Sequence, residues 1–159
     1  MKTGTVSAVF VRLAQPSDRE SLVQMRTSLW PDTSAEKHDM EVIALLNGTA
    51  ALTMPLAIFV AATNEGRVVG FLEVDLRSHA DGCSPAQPAG YIEGWFVAEG
   101  YRQQGIGKRL VEAAEDWARS HGCVEIGSDA LIENETSQRA HEALGYEVVD
   151  RCVNYRKTL

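Results

Sequence analysis

The sequence predicts an α/β fold, a mixed central sheet of about seven strands with helices on both faces. Three observations predict it. Segments of helical period sit between mostly single segments of strand character, in the order β, α, α, β, β, β, α, β, α, β, β. Two of the strand segments join through Asn64-Glu65-Gly66, a hairpin loop. The chain is 159 residues long, 45% hydrophobic and 23% charged, which suits the core of one domain of ordinary size and excludes disorder. Residues 1–159 read as that single domain, without repeats, linkers or low-complexity tracts.

Residues 8–14, AVFVRLA, are apolar and β-rich and form the first strand. In the first helix Ser17 and Glu20 have capping-box spacing, and Leu22, Met25 and Leu29 recur on one face. Pro31 breaks it. Thr33 and Glu36 repeat the capping pattern, Met40, Ile43, Ala44 and Asn47 form a stripe, and Gly48 sits where a helix ends. The hairpin follows, residues 57–62 and 67–77, then a loop rich in turn formers over 78–89. GYIEGWFV, residues 90–97, is the fourth strand. The third helix has Ile106, Leu110, Ala114, Trp117 and Ala118 on one side and ends near Gly122. Residues 123–130 form the fifth strand and 134–145 a short helix. YEVVD and CVNYRKT close the chain as two more strands.

Composition narrows the function. A formal net charge of −7 argues against nucleic acid or an anionic membrane as the main partner, and it permits a cationic ligand. No apolar run approaches a membrane span, and the first residues carry no secretory leader pattern. Cys83, Cys123 and Cys152 form neither a metal-ligand pattern nor a disulfide framework, which favours a reducing cytoplasm. No metal site is expected.

Arg102-Gln103-Gln104-Gly105-Ile106-Gly107 stands immediately before the third helix. Two glycines two apart let the main chain turn tightly, and the helix offers unpaired N–H groups and a positive dipole end. That combination suits a phosphate. Relief of strand–helix crowding explains the glycines equally well. A dinucleotide-binding fold is set aside, because the third glycine and the early βαβ position are missing.

Together with the element order, this turn resembles the signature of the GCN5-related N-acetyltransferases: Gln or Arg, two residues, Gly, one residue, then Gly or Ala. A second block resembles the family's too, Asn134 followed by a helix ending in HEALGY, residues 141–146. SLWPD (28–32), GYIEGWFV (90–97), SDA (128–130) and AHEALGY (140–146) resemble the aminoglycoside 6′-N-acetyltransferases among them. Two positions depart from the wider pattern. Glu99 follows Ala98 where many relatives have Pro, and His141 replaces the usual Tyr.

The resemblance implies a sheet splayed between strands four and five, acetyl-CoA as co-substrate, an aminoglycoside acceptor and a homodimer joined through the C-terminal strands. It also implies roles. Main-chain N–H groups from Gln103 to Lys108, with Arg102, Gly105, Ile106 and Gly107 shaping the turn, would hold the pyrophosphate. Phe96 and Val97 would pair with the pantetheine arm, a strand-four N–H near Val97 would polarise the thioester carbonyl, and Asn134 would contact pantetheine or cap its helix.

Acceptor residues come partly from pattern. Tyr91, Glu93, Trp95 and Val97 share one strand face by alternation, and a half-buried Glu there needs a cation or a donor. Trp30 and Asp32 offer an aromatic wall beside a cation site. An alkylammonium of pKa about 10.4 must lose a proton before it attacks. Asp129 is the expected base and Glu93 the expected anchor. An imidazole of ordinary pKa, about 6.5, suits a donor near neutrality, so His141 is expected either to protonate the departing thiolate or to pack on the cofactor. The alternatives are transfer to another polyamine, amino sugar or protein amine, and a non-catalytic CoA-binding module.

Overall fold

The computed structural model describes residues 8–159; the leader reading of the chain's first seven residues lies outside it. Five strands form one sheet in the order β1-β2-β3-β4-β5. They are β1 (Val9–Leu13), β2 (Leu56–Thr63), β3 (Val68–Arg77), β4 (Ala89–Val97) and β5 (Ile126–Ser128). The first four pair antiparallel and β5 joins β4 in parallel, so the sheet is mixed as expected. Helices α1 (Arg19–Leu29) and α2 (Ala35–Leu46) cover one face. Helix α3 (Ile106–Ser120) covers the other, where Leu144 and Tyr146, just past α4 (Glu135–Ala143), also pack.

Alternation builds both cores. Ala57, Ala61, Leu72, Val74 and Ile92 meet Ile106, Leu110, Val111 and Ala114 of α3. Ile58, Val60 and Phe71 point the other way, against Leu22 and Met25 of α1 and Val42 of α2. Phe71, Leu22 and Leu110 are wholly buried, and each such side chain contributes roughly 1.5–3 kcal/mol.

Several expectations are corrected. The two C-terminal strands do not form, which leaves five strands among the described residues rather than seven; residues 146–159 make no sheet ladder. Val148, Val149, Val153 and Tyr155 are exposed there, and β-rich alternation without a partner strand is only a propensity. The α2 stripe is rotated: His38 and Val42 face inward and Met40 is exposed, because the sheet takes the face set by the entry turn. The α2 cap is Ser34, whose hydroxyl accepts from the Lys37 N–H, one residue later than expected. At α1 the Asp18 carboxylate takes the Gln15 N–H and two bonds from Arg12, so the first capping box is also displaced.

Candidate active site

Pairing between β4 and β5 runs Gly90–Ile126, Tyr91–Gly127, Ile92–Ser128 and stops. From Gly94 to Val97, β4 stays paired with β3 and, among the described residues, has no strand on its other side. The sheet is therefore open between β4 and β5.

At the point of opening, β4 carries a bulge. Val74 pairs with Ile92 and Glu73 with Gly94, which leaves Glu93 as the extra residue. The bulge breaks alternation, so the expected shared face of Tyr91, Glu93, Trp95 and Val97 is split. Trp95 and Val97 pack on the α3 side, whereas Glu93 and Gly94 turn toward α1 and α2. Gly94 is there because Trp30 lies on it: a Cβ would sit 2.5 Å from Trp30 Cη2. Trp30 also stacks near His38, meets Phe71 edge-on and lies under Arg26.

These residues line a cavity of ≈ 310 Å³ bounded by Arg26, Trp30, Glu41, Glu73, Asp75 and Glu93, with Thr33 and His38 at the side. Four carboxylates face two guanidinium groups. Arg26 bonds Glu73 and, at 2.6 Å, Glu41. Burial pushes the Glu73 carboxyl up, with Arg26 opposing. Arg77 donates twice to Glu93 Oε1, at 2.9 and 2.5 Å, and lies 3.5 Å over the Tyr91 ring. Arg77 is thus the cation that the half-buried Glu93 requires. Asp32 is exposed beyond α1, and the cavity wall at that point is Thr33.

The end of β5 holds a second group. Asp129 is exposed. Burial first, and then the Asp129 carboxylate, push the Tyr91 hydroxyl up to about 12. His141 Nδ1 is 2.7 Å from the Ser137 carbonyl, which only accepts, so Nδ1 carries the proton of the neutral ring. His141 Nε2, 2.8 Å from Ser128 Oγ, then accepts from that hydroxyl. Trp95 and Tyr146 meet the imidazole edge-on, at 5.3 and 5.6 Å. Asn134 caps α4 by accepting from the Ser137 N–H at 3.1 Å.

The turn before α3 fits a pyrophosphate. Gln103 and Gly105 both adopt positive φ, 58° and 75°. Among the described residues no protein acceptor takes the N–H groups of Gln103 through Lys108, although Arg109 N–H bonds the Gly105 carbonyl. Consecutive amides of this kind form an anion-binding concavity. Gly107 serves packing: a Cβ there would lie 3.0 Å from the Trp95 indole. Arg102 Nε donates to the Val97 carbonyl at 2.8 Å. Lys108 is exposed and pairs with Glu112, and Arg109 donates to the Val9 carbonyl. Ile106 is buried under the turn, and Phe96 leans on Phe71. Among the described residues no group of three or more His, Cys, Asp or Glu could hold a metal ion, and no helix is long and apolar enough to cross a membrane.

Sequence reasoning missed Arg26, Glu41, Glu73, Asp75, Arg77 and Ser128. A signal existed for three of them. Phe71, Glu73, Asp75 and Arg77 share a β3 face by alternation, and three charges opposite an apolar face mark a built polar surface.

The chain matches the model of the acetyltransferase (GNAT) family over residues 22–146. It is 38% identical, over 96% of its length and 99% of the relative's, to a Klebsiella aerogenes protein named aminoglycoside N(6′)-acetyltransferase type 1. Among solved structures it resembles AAC(6′)-Iy in complex with a bisubstrate analogue, CoA-S-monomethyl-acetylneamine. The TM-score is 0.84 and the identity 32%, over 96% of this chain and 100% of that one. AAC(6′)-Ih from Acinetobacter baumannii matches with a TM-score of 0.83 and 29% identity, over 96% and 99% of the two chains.

Proposed function

Since the chain belongs to the GNAT acetyltransferase family, we propose that it transfers the acetyl group of acetyl-CoA to the 6′-amine of aminoglycosides, an activity that confers resistance. The observation that carries this is the acidic, Trp30-walled cavity at the opening between β4 and β5, in a chain that matches an N(6′)-acetyltransferase along nearly its whole length.

Each end of the site takes one partner. The unpaired amides of Gln103–Lys108 hold the pyrophosphate, and the β4 edge beyond Glu93 receives the pantetheine arm, with Phe96 and Val97 supplying main-chain groups. A β4 N–H near Val97 aims at the thioester oxygen. The surplus of carboxylates favours a multiply cationic sugar, and Trp30 gives it an apolar wall.

The roles of the carboxylates separate on geometry. Glu93 Oε1 already accepts twice from Arg77, which suits a fixed anchor. Asp129 is exposed at the open end of β5 beside Tyr91, with no guanidinium bound, and suits removal of the ammonium proton directly or through water. The freed amine attacks the thioester carbonyl in a ternary complex, and the C–S bond breaks to release the thiolate. His141 protonates that thiolate only as the imidazolium, because Nε2 of the neutral ring is an acceptor.

The exposed apolar residues of 146–159 support a homodimer formed through this segment, and three free cysteines support a cytoplasmic setting. Activity is tested by thiol release from acetyl-CoA against aminoglycosides, polyamines and peptides. Compounds with a 6′-amine should be acetylated and those with a 6′-hydroxyl should not. Product NMR placing the acetyl group on a 3-amine would overturn the regiochemistry.

A further inference from the structure

The cations of the acceptor cavity are unevenly shared. Glu41 and Glu73 are both bonded by Arg26, and Glu93 by Arg77. Asp75 has no such bond. Its nearest guanidinium nitrogen, Arg77 Nε, is 4.0 Å away, and its Oδ1 is fully buried without a hydrogen-bond partner. An unsatisfied buried carboxylate oxygen costs stability, so its retention on a central strand calls for a use.

Position says what the use is. Asp75 borders the acceptor cavity and also an adjoining one of ≈ 370 Å³ walled by Thr53, Met54 and His79. It stands opposite Tyr91, which is itself paired to Gly127. Asp75 therefore lies behind the opening, where β4 and β5 are still closed and no thioester arm reaches. A cation held there is not the amine that reacts. Resting on the aminoglycoside reading, we propose that Asp75 binds a second, non-reacting ammonium of the acceptor and thereby selects polycationic, multi-ring substrates.

Binding carries a proton signature. Burial first, then the Glu93 charge, push Asp75 up to about 7. Near neutrality a fraction of Asp75 is protonated. An ammonium replaces that proton: the carboxylic acid loses H⁺ to buffer and the carboxylate pairs with the incoming R–NH₃⁺. The groups facing Asp75 are Glu93 and Tyr91 on β4, Glu73 and Arg77 on β3, Arg26 on α1, and Glu41 and His38 on α2. The β2 side contributes the apolar Leu56, and the adjoining cavity adds His79 from the loop after β3.

The test compares wild type with Asp75→Asn in two ways. In steady-state kinetics at pH 7.5, the KM for a kanamycin-type drug should rise about tenfold or more, with kcat changed less than about threefold. An acceptor reduced to the single 6-amino-6-deoxy ring should keep its KM. At pH 7, calorimetry of drug binding in buffers of different ionisation enthalpy should show the wild type releasing more protons than the variant, by about half a proton. If Asp75→Asn fails to fold, Asp75→Ser removes the same carboxyl. Equal proton counts, or a KM that rises equally for both acceptors, overturn the proposal. A wild type that acetylates no aminoglycoside overturns the activity and this role together, a result distinct from either.

Discussion

Replacing Gly94 with alanine tests whether the Trp30 wall and the bulge are one device. A Cβ at Gly94 would lie 2.5 Å from Trp30 Cη2, 2.7 Å from Cζ2 and 3.2 Å from Leu29 Cδ2. Carbon atoms rest about 3.5–4.0 Å apart, so the indole must retreat by about 1 Å. It has little freedom to do so, held by His38 and Phe71 at centroid separations of 6.2 and 6.3 Å and by Arg26, whose Cζ is 4.9 Å from the ring centroid. Overpacking of this kind costs about 1–3 kcal/mol, which lowers the melting temperature of a domain this size by roughly 3–10 °C. The displaced ring also narrows the cavity beside Glu93, so the acceptor KM should rise about tenfold or more while CoA affinity stays unchanged. Scanning calorimetry and steady-state kinetics read both effects. Adding Trp30→Phe removes the two clashing ring atoms and should restore at least half of the lost stability, a coupling that a double-mutant cycle measures. A Gly94→Ala protein with wild-type melting and KM, or a double variant no better than the sum of its parts, would refute the reasoning.

Asp129→Asn should lower kcat/KM at least about a hundredfold with nearly unchanged melting; near wild-type turnover moves the base to Glu93 or a water chain. The same substitution removes one of the groups raising the Tyr91 phenol, so ultraviolet titration should find that phenol ionising at lower pH than in wild type. Gln103→Glu places a carboxylate among the free amides of the turn and should weaken CoA binding about tenfold or more at unchanged stability; calorimetry showing equal affinity would remove the phosphate cradle. Asp75 is raised from 3.8 to about 7, so the folded ligand-free protein holds this proton more tightly than the unfolded chain. Stability from this group is therefore lost as pH rises from about 4 through about 7, and Asp75→Asn should melt higher than wild type by a margin that grows across that window. Tyr155→Asp, in the exposed C-terminal segment, should disrupt the proposed homodimer, read by sedimentation as a fall to the monomer mass.

Much of the architecture was legible because its signals are local. The Asn64-Glu65-Gly66 loop, the apolar stripe of α3 and the glycine turn each specify their conformation from a few neighbouring residues. The bulge at Glu93 was not legible. Strand alternation assumes one residue per step, and the extra residue lies next to Gly94, on which Trp30, distant in sequence, is seated. For the same reason the sequence put Tyr91, Glu93 and Trp95 on one face, and at Gly107 it left phosphate and packing both open, where the Trp95 indole accounts for the missing Cβ. The face of α2 was missed because Met40 and His38 differ by half a turn, and the entry turn capped by Ser34 decides between them. Glu93 and Asp129 were reachable as isolated acids, but the sharing of Arg26 and Arg77 among four carboxylates is a three-dimensional fact.

Strand β3 shows how such a polar face persists in a stable protein. From Gly70 onward, its even-numbered residues, Leu72, Val74 and Leu76, enter the apolar packing on the α3 side. Its odd-numbered residues beyond Phe71 are Glu73, Asp75 and Arg77, all on the cavity side. The strand sits between β2 and β4, so ladder bonds fix it on both edges and the carboxylates need no loop to position them. Burying them is costly, as the raised Glu73 and Asp75 show, and the even-numbered face supplies the offsetting hydrophobic stabilisation. Substitutions along this one strand should therefore separate by parity. Leu72→Ala and Val74→Ala should cost roughly 2–5 kcal/mol of stability and leave the acceptor KM of the surviving folded fraction near wild type. Asp75→Asn should do the reverse, raising KM and raising melting at alkaline pH. A Val74→Ala enzyme whose main defect is in acceptor KM would mean that the two faces are coupled through the strand, and that the site's geometry depends on core packing beneath it.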